Sequence, residues 1–175
     1  LNFLLKDSIK LQMRSDVPVG AYLSGGIDSS LVASLASKHA SGALPMFHGK
    51  FTESKEYDES YFAKIIADKK NGNLYQVIPT QQDFVDNISD LIYSLDEPMA
   101  GPGLFPQYMT SQLASKHVKV VLGGQGGDEI FGGYTRYLVA YLEQALKGAI
   151  TGTCDEGSHV VTLGSIVPNL HILKN

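Results

Sequence analysis

The sequence predicts an α/β fold, a doubly wound parallel sheet flanked by helices, and three observations carry that reading. Short apolar segments alternate along the chain with longer ones whose apolar residues recur at helical spacing. Two of the strand candidates run straight into glycine-rich loops, Ser24-Gly25-Gly26 and Gly123-Gly124. No internal repeat or low-complexity run interrupts the alternation. Strands separated by helical crossovers form parallel sheets covered on both faces.

Taken in order, Leu5, Ile9 and Met13 fall four residues apart and predict an amphipathic helix over 1–14. Pro18 closes it, because proline disfavours helical geometry in the residue before it. Gly20-Ala21-Tyr22-Leu23 is a buried strand that stops at the first glycine turn. Asp28, Ser29 and Ser30 offer N-cap chemistry for a helix over 30–40, with Leu31, Val32, Leu35 and Ala36 on one face. A second strand is expected over 45–51. A helix over 58–70 follows, with Phe62, Ile65 and Ile66 inward and Asn71-Gly72 as its left-handed cap. Residues 74–78 are a third strand, ended by Pro79. Phe84, Val85, Ile88, Leu91, Ile92 and Leu95 mark the next helix, 98–106 a loop, and Phe105, Tyr108, Met109 and Leu113 a further helix. The β-branched run 118–122 is a fourth strand. A loop over 123–133, a helix over 134–147 and one last helix or strand over 160–173 complete the reading.

Composition removes several functions. The chain has 175 residues, enough for a core, and 43% of them are hydrophobic, too many for a disordered chain. No apolar run reaches the ~20 residues of a membrane helix, and charged residues break up the N-terminal segment, so neither a membrane partner nor a signal peptide is expected. Fourteen basic residues against 18 acidic ones give a net charge of -4, which argues against a nucleic-acid partner. A single cysteine, Cys154, permits no internal disulfide and fits a cytoplasmic location. The five histidines show no ligand spacing and read as surface or capping residues, and Lys50 and Lys55 read as solvated.

The glycine loops carry the chemistry. Ser24-Gly25-Gly26-Ile27-Asp28-Ser29-Ser30 places backbone N–H groups without Cβ interference at a helix N-terminus, an anion site to which three serines add hydroxyl donors. A helix terminus stabilises an anion by only ~0.3–2 kcal/mol, too little for a di- or triphosphate. A divalent cation is the natural complement, and Mg²⁺ bound with phosphates takes one or two protein carboxylates. Asp28 and Asp128, one from each loop, are the pair in reach if the two strand ends adjoin. The chain lacks Gly-x-x-x-x-Gly-Lys-Ser/Thr and any Gly-x-Gly-x-x-Gly after its first strand, which removes the ordinary P-loop and argues against dinucleotides.

At these residues the chain resembles a known family. Ser24-Gly25-Gly26-Ile27-Asp28-Ser29 is similar to the pyrophosphate loop of N-type ATP pyrophosphatases (the PP-loop superfamily, with an adenine nucleotide alpha hydrolase-like fold). Val17-Pro18-Val19-Gly20, Tyr57-Asp58-Glu59, Asp96-Glu97-Pro98 and the run from Gly126 to Tyr134 resemble the synthetase domain of glutamine-hydrolysing asparagine synthetases. The resemblance implies a ligase that uses ATP and Mg²⁺ to adenylate a carboxylate, the aspartate side chain in the namesake, with pyrophosphate release and attack by ammonia. It implies Ser24, Gly25, Gly26, Asp28 and Ser29 at the pyrophosphate, Asp28 and Asp128 on magnesium, Leu23, Gly49 and Gly124 along the adenosine, and Glu129 in the amino-acid or catalytic pocket. Where the family usually reads Ser-Gly-Glu-Gly, this chain has Gly123-Gly124-Gln125-Gly126. Gln125 thus stands where a carboxylate could take an ammonium proton, and an amide is no base at neutral pH.

On the same resemblance, residues 1–150 are expected to form the ATP-pyrophosphatase domain and 151–175 a divergent tail packed on it. A glutaminase domain and a C-terminal helical part belong to the full-length partner set rather than to these residues, and self-association is left open. Two alternatives keep the site but change its use. One is β-lactam synthetase-type closure by an internal amine; the other is an ATP-binding regulatory domain without turnover.

Overall fold

The computed structural model describes residues 1–52, 58–97, 101 and 103–151. Tyr57, Pro98, Lys55, Cys154 and the element expected over 160–173 lie outside them. The chain divides into two compact units, Leu1–Gln125 and Gly126–Asn175.

The first unit runs α1 (Asn2–Gln12), β1 (Val19–Tyr22), α2 (Ile27–Ala36), β2 (Pro45–Gly49), α3 (Ser60–Lys70), β3 (Asn73–Val77), α4 (Gln81–Tyr93), α5 (Leu104–Ser115) and β4 (Val120–Leu122). Its four strands pair in parallel in the order β3-β2-β1-β4. Ala21 of β1 lies opposite Met46 on one side and Leu122 on the other. The order reverses between β1 and β4, and such a switch leaves a crevice at the carboxyl ends of the strands. Both glycine loops begin there.

Strand alternation sorts the core into two layers. Ala21, Leu23, Met46 and Leu122 face Ile9, Ala33, Leu35, Ala36, Ala63 and Ala67 from the first three helices. Tyr22, Phe47, Tyr75 and Val121 face Leu113, Ala114 and Val118 at the α5 end. Among the described residues, Phe47, Leu23, Leu44 and Met46 are the largest fully buried side chains, each contributing ~1.5–3 kcal/mol by leaving water. The expected doubly wound sheet is therefore observed, with helices on both faces.

Individual faces differ from expectation. α2 starts at Ile27, three residues early, and its N-cap is Gly26 with no side-chain cap bond, so Asp28, Ser29 and Ser30 sit inside its first turn. Leu31 is exposed, whereas Ala33 joins Leu35 and Ala36 inside. In α3 the residues against the sheet are Ala63 and Ala67, with Ile66 partly buried beside them; Phe62 is exposed. Small residues win because the helix lies close to the strands. In α4 only Leu91 is buried, and Phe84, Val85 and Ile92 are exposed despite their spacing. The Asn71 cap is as expected, with φ 50° and ψ 39°.

The second unit contains α6 (Gly127–Phe131) and α7 (Thr135–Thr151). The segment 123–133, expected as loop throughout, thus holds a short helix between two left-handed glycines, Gly126 at φ 97° and Gly132 at φ 67°.

Candidate functional site

The first glycine loop is held by a serine network. Ser24 N–H donates to Ser29 Oγ at 3.1 Å, and Ser29 Oγ donates to the Gly26 carbonyl at 3.2 Å. The two hydroxyl oxygens lie 2.8 Å apart, and Gly26 N–H donates to Ser24 Oγ at 3.2 Å. Because the serines close the loop on itself, the first-turn amides of α2 receive no side-chain cap and stay available to an anion. Gly25 adopts φ +103°, and a Cβ there would lie 2.7 Å from the Glu59 carbonyl oxygen. Only glycine fits both the left-handed backbone and the close pass of the segment leading into α3.

The second loop meets the first at Gly124. A Cβ on Gly124 would lie 2.7 Å from Ser29 N and 2.8 Å from the Asp28 carbonyl carbon. The end of β4 is therefore packed on the first turn of α2. Gln125 is exposed, and Gly123 passes close to its Oε1.

Between the ends of β1 and β2 and helix α5 lies a cavity of about 190 Å³, lined by Leu23, Phe47, His48, Gly49, Pro106 and Thr110 among others. It is smaller than the ~300–1,000 Å³ of pockets that take a whole drug-sized ligand, so it suits one ring system. A Cβ on Gly49 at its wall would come within 3.1 Å of Thr110 Oγ1, so a larger residue there would press on the Thr110 side chain. His48 is 2% exposed, with Nδ1 2.8 Å from the Leu23 carbonyl oxygen.

Lys50 Nζ lies 3.8 Å from Asp58 Oδ2, and the Asp58 carboxyl is held below its ordinary value chiefly by hydrogen bonds from Ser60, then by Lys50 and His48. Asp28 is half-buried, and no hydrogen bond or ion pair engages its carboxylate among the described residues. No group of three or more His, Cys, Asp or Glu forms a metal cage among those residues. A cation held mainly through phosphate oxygens needs no such cage, and the uncommitted hard oxygens of Asp28 fit magnesium in that role.

In the second unit, Gly133 N–H donates to the Asp128 carbonyl at 2.9 Å. Tyr134 Oη donates to Glu129 Oε1 at 2.7 Å. Arg136 lies over the Tyr134 ring, 4.0 Å from its centroid. Glu129 is held below its ordinary value, first by the Tyr134 hydroxyl and then by backbone amides and Arg136.

The asparagine synthase family model matches residues 1–168. The chain belongs to the asparagine synthase family. A relative from Methanocaldococcus jannaschii is 42% identical over 79% of this chain and 27% of its own length. Glutamine-hydrolyzing asparagine synthetase 1 of Bacillus subtilis is 36% identical over 75% of this chain and 20% of its own length. The chain thus spans only a fifth to about a quarter of these curated relatives. A solved NH3-dependent NAD synthetase from Campylobacter jejuni shares the fold, with a TM-score of 0.50 at 19% identity over 75% of this chain and 58% of its own.

Within this member of the asparagine synthase family, Leu23, Ser24, Gly25, Gly26, Asp28, Ser29 and Gly124 gather at the β1–β4 switch, and Gly49 stands across the cavity on β2. Asp128 and Glu129 belong to the second unit. Two features escaped the sequence reading. His48, read as a surface or capping residue, is buried. Lys50, read as solvated, is paired with Asp58. Period-two placement of His48 beside Met46 was the available signal for its burial.

Proposed function

We propose that this chain forms the ATP-binding core of a ligase that adenylates a carboxylate and then converts it to an amide. The observation that carries the proposal is the packing of Gly124 on the first turn of α2, which puts both glycine loops at the topological switch. Ser24, Gly25, Gly26 and Ser29 would cradle the pyrophosphate. The uncapped first-turn amides of α2 are oriented before the substrate arrives, so they stabilise the charge that grows on pyrophosphate as it leaves the α-phosphate. Asp28 would hold magnesium, which would supply charge to offset that of the phosphate oxygens. Leu23, Gly49 and Gly124 would border the adenosine, with its base in the cavity beside Gly49.

Family membership and the names of the curated relatives favour aspartate as the carboxylate and ammonia, delivered by a glutaminase domain, as the nucleophile. The family resemblance makes Glu129 and Gln125 candidates for roles in that second half-reaction. Gln125 positions by hydrogen bonding and does not take the proton.

The test uses the full-length protein with ATP, Mg²⁺, aspartate and ammonia. Matched release of pyrophosphate, AMP and asparagine is the expected result. Pyrophosphate without asparagine would assign a different acceptor, as in ring closure by an internal amine. ATP binding with no pyrophosphate under any carboxylate would overturn the ligase reading in favour of a regulatory domain.

A further inference from the structure

Two adjacent glycines follow α6, and the backbone explains only the first. Gly132 adopts φ 67° and caps the helix in the left-handed region. Gly133 lies outside that region, so its φ places no demand for glycine, and its N–H donates to the Asp128 carbonyl at 2.9 Å. The space beside it is nevertheless taken. A Cβ on Gly133 would fall on Oδ1 of Asp128 and lie 2.9 Å from its Cγ and 3.1 Å from its Cα.

What gives way depends on what the methyl group would meet. At Gly124 it meets backbone; at Gly133 it meets chiefly the end of a side chain. Turning the carboxyl about χ2 does not clear it, because Cγ itself is too close. Aspartate χ1 has three staggered wells, and a methyl group at 133 closes the observed one. The approach to Asp128 Cα asks for a shift of only a few tenths of an ångström. An alanine at 133 therefore leaves the fold nearly intact and moves one carboxylate. That carboxylate is half-buried, and no hydrogen bond or ion pair engages its oxygens among the described residues. Ionised, it only accepts, and a neutral donor such as a ribose hydroxyl leaves its charge uncompensated, whereas a cation offsets it. The proposed reaction brings two cations, magnesium and the ammonium group of an amino-acid substrate.

We propose that Gly133 is a positioning residue for Asp128: lacking a side chain, it holds open the rotamer from which that carboxylate takes a cationic ligand of the reaction, the magnesium ion or the substrate's ammonium group. The assignment rests on the ligase reading above and adds to it the residue that aims the carboxylate.

The test compares wild type, Gly133→Ala, Asp128→Ala and the double variant as full-length proteins, with α,β-methylene-ATP, which cannot release pyrophosphate. Calorimetry reads nucleotide affinity with and without Mg²⁺, then aspartate affinity with both saturating. Gly133→Ala is expected to melt within a few degrees of wild type. It should lose about tenfold in Mg²⁺-dependent nucleotide affinity or in aspartate affinity, the scale of disturbing a ligand's outer support. The first loss assigns the metal, the second the ammonium group. On the Asp128→Ala background, where no carboxylate remains to displace, the same change should cost nothing further. A loss of stability or affinity of the same size on both backgrounds would make Gly133 a structural residue and overturn the assignment. So would an Asp128→Ala variant with both affinities unchanged, which leaves ATP binding standing. Absence of nucleotide binding by wild type would overturn the ATP reading itself, and the assignment with it.

Discussion

Gly124 at the end of β4 passes so close to Ser29 in the first turn of α2 that a methyl group on it would lie 2.7 Å from the Ser29 amide nitrogen. The contact joins segments about a hundred residues apart in sequence, and it is made backbone to backbone. A side chain could swing away, but here the loops themselves must separate to admit any larger residue.

Gly124→Ala should therefore cost about 1–3 kcal/mol of stability, the range for overpacking a tight contact, and weaken ATP binding as well. Denaturant melts and nucleotide titration of the same variant check both. Wild-type stability with wild-type affinity would mean that the loops do not need this approach.

Ser29→Ala tests the serine network. It removes the acceptor for Ser24 N–H and the donor to the Gly26 carbonyl. Leaving such partners unpaired typically costs about 1–3 kcal/mol. The pyrophosphate loop should loosen, so pyrophosphate release by the full-length protein should fall about tenfold or more while the melting temperature drops by only a few degrees. Unchanged turnover would show that the loop is held by its backbone alone.

How much of this was legible in the sequence depends on what each residue does. Strand and helix order followed from periodicity, and the two loops from their glycines. Strand order was not legible, because alternation says nothing about which edge a new strand joins. The faces of α3 and α4 were misjudged for opposite reasons. Ala63 and Ala67 are buried because close helix–sheet packing prefers small residues, and Phe84 and Ile92 are exposed although apolar spacing marked them as inward. The capping of α2 was also misread: Ser29 resembles a cap in sequence, but its hydroxyl is committed to Ser24 and Gly26. His48 could not be singled out from ligand spacing, since its partner is a main-chain carbonyl just past the end of β1.

Acid should weaken the N-terminus of α4. Thr80 and Asp83 form a capping box, with Thr80 N–H donating to Asp83 Oδ2 at 2.8 Å and Asp83 N–H to Thr80 Oγ1 at 3.1 Å. Hydrogen bonds from Thr80 hold the Asp83 carboxyl below its ordinary value. A depressed pKa stabilises the fold above the unfolded carboxylate value, about 3.9, and that contribution is lost as pH falls through the lowered one. Wild type should thus be more stable than Asp83→Asn at pH 7, and the gap should close below about pH 4. Thermal melts of both across pH 2–7 check the sign; a gap that widens in acid would refute the box.

Asp28→Asn keeps the size of the side chain and removes its charge. No hydrogen bond or ion pair engages the carboxylate among the described residues, so the fold should be little affected. Magnesium-dependent nucleotide affinity should fall about 10–100-fold, at least the effect of disturbing the outer support of a bound metal. Titrating ATP with and without Mg²⁺ separates the two contributions. Equal losses in both conditions would place Asp28 on the nucleotide rather than on the metal.

Tyr134 and Glu129 allow a prediction confined to the second unit. The Tyr134 hydroxyl is the largest influence holding the Glu129 carboxyl low, ahead of the backbone amides of Glu129 and Gly126 and the Arg136 charge. Tyr134→Phe removes that donor and keeps the ring beneath Arg136. The Glu129 titration should move upward toward its ordinary value, as read by carboxyl-carbon NMR, because only the ionised form gained from the hydroxyl. A titration that stays low would assign the effect to the backbone and Arg136. If Glu129 works in its ionised form, turnover of the variant should fall selectively on the acid side of its pH profile. Turnover unchanged at low pH would mean that its ionisation is not required.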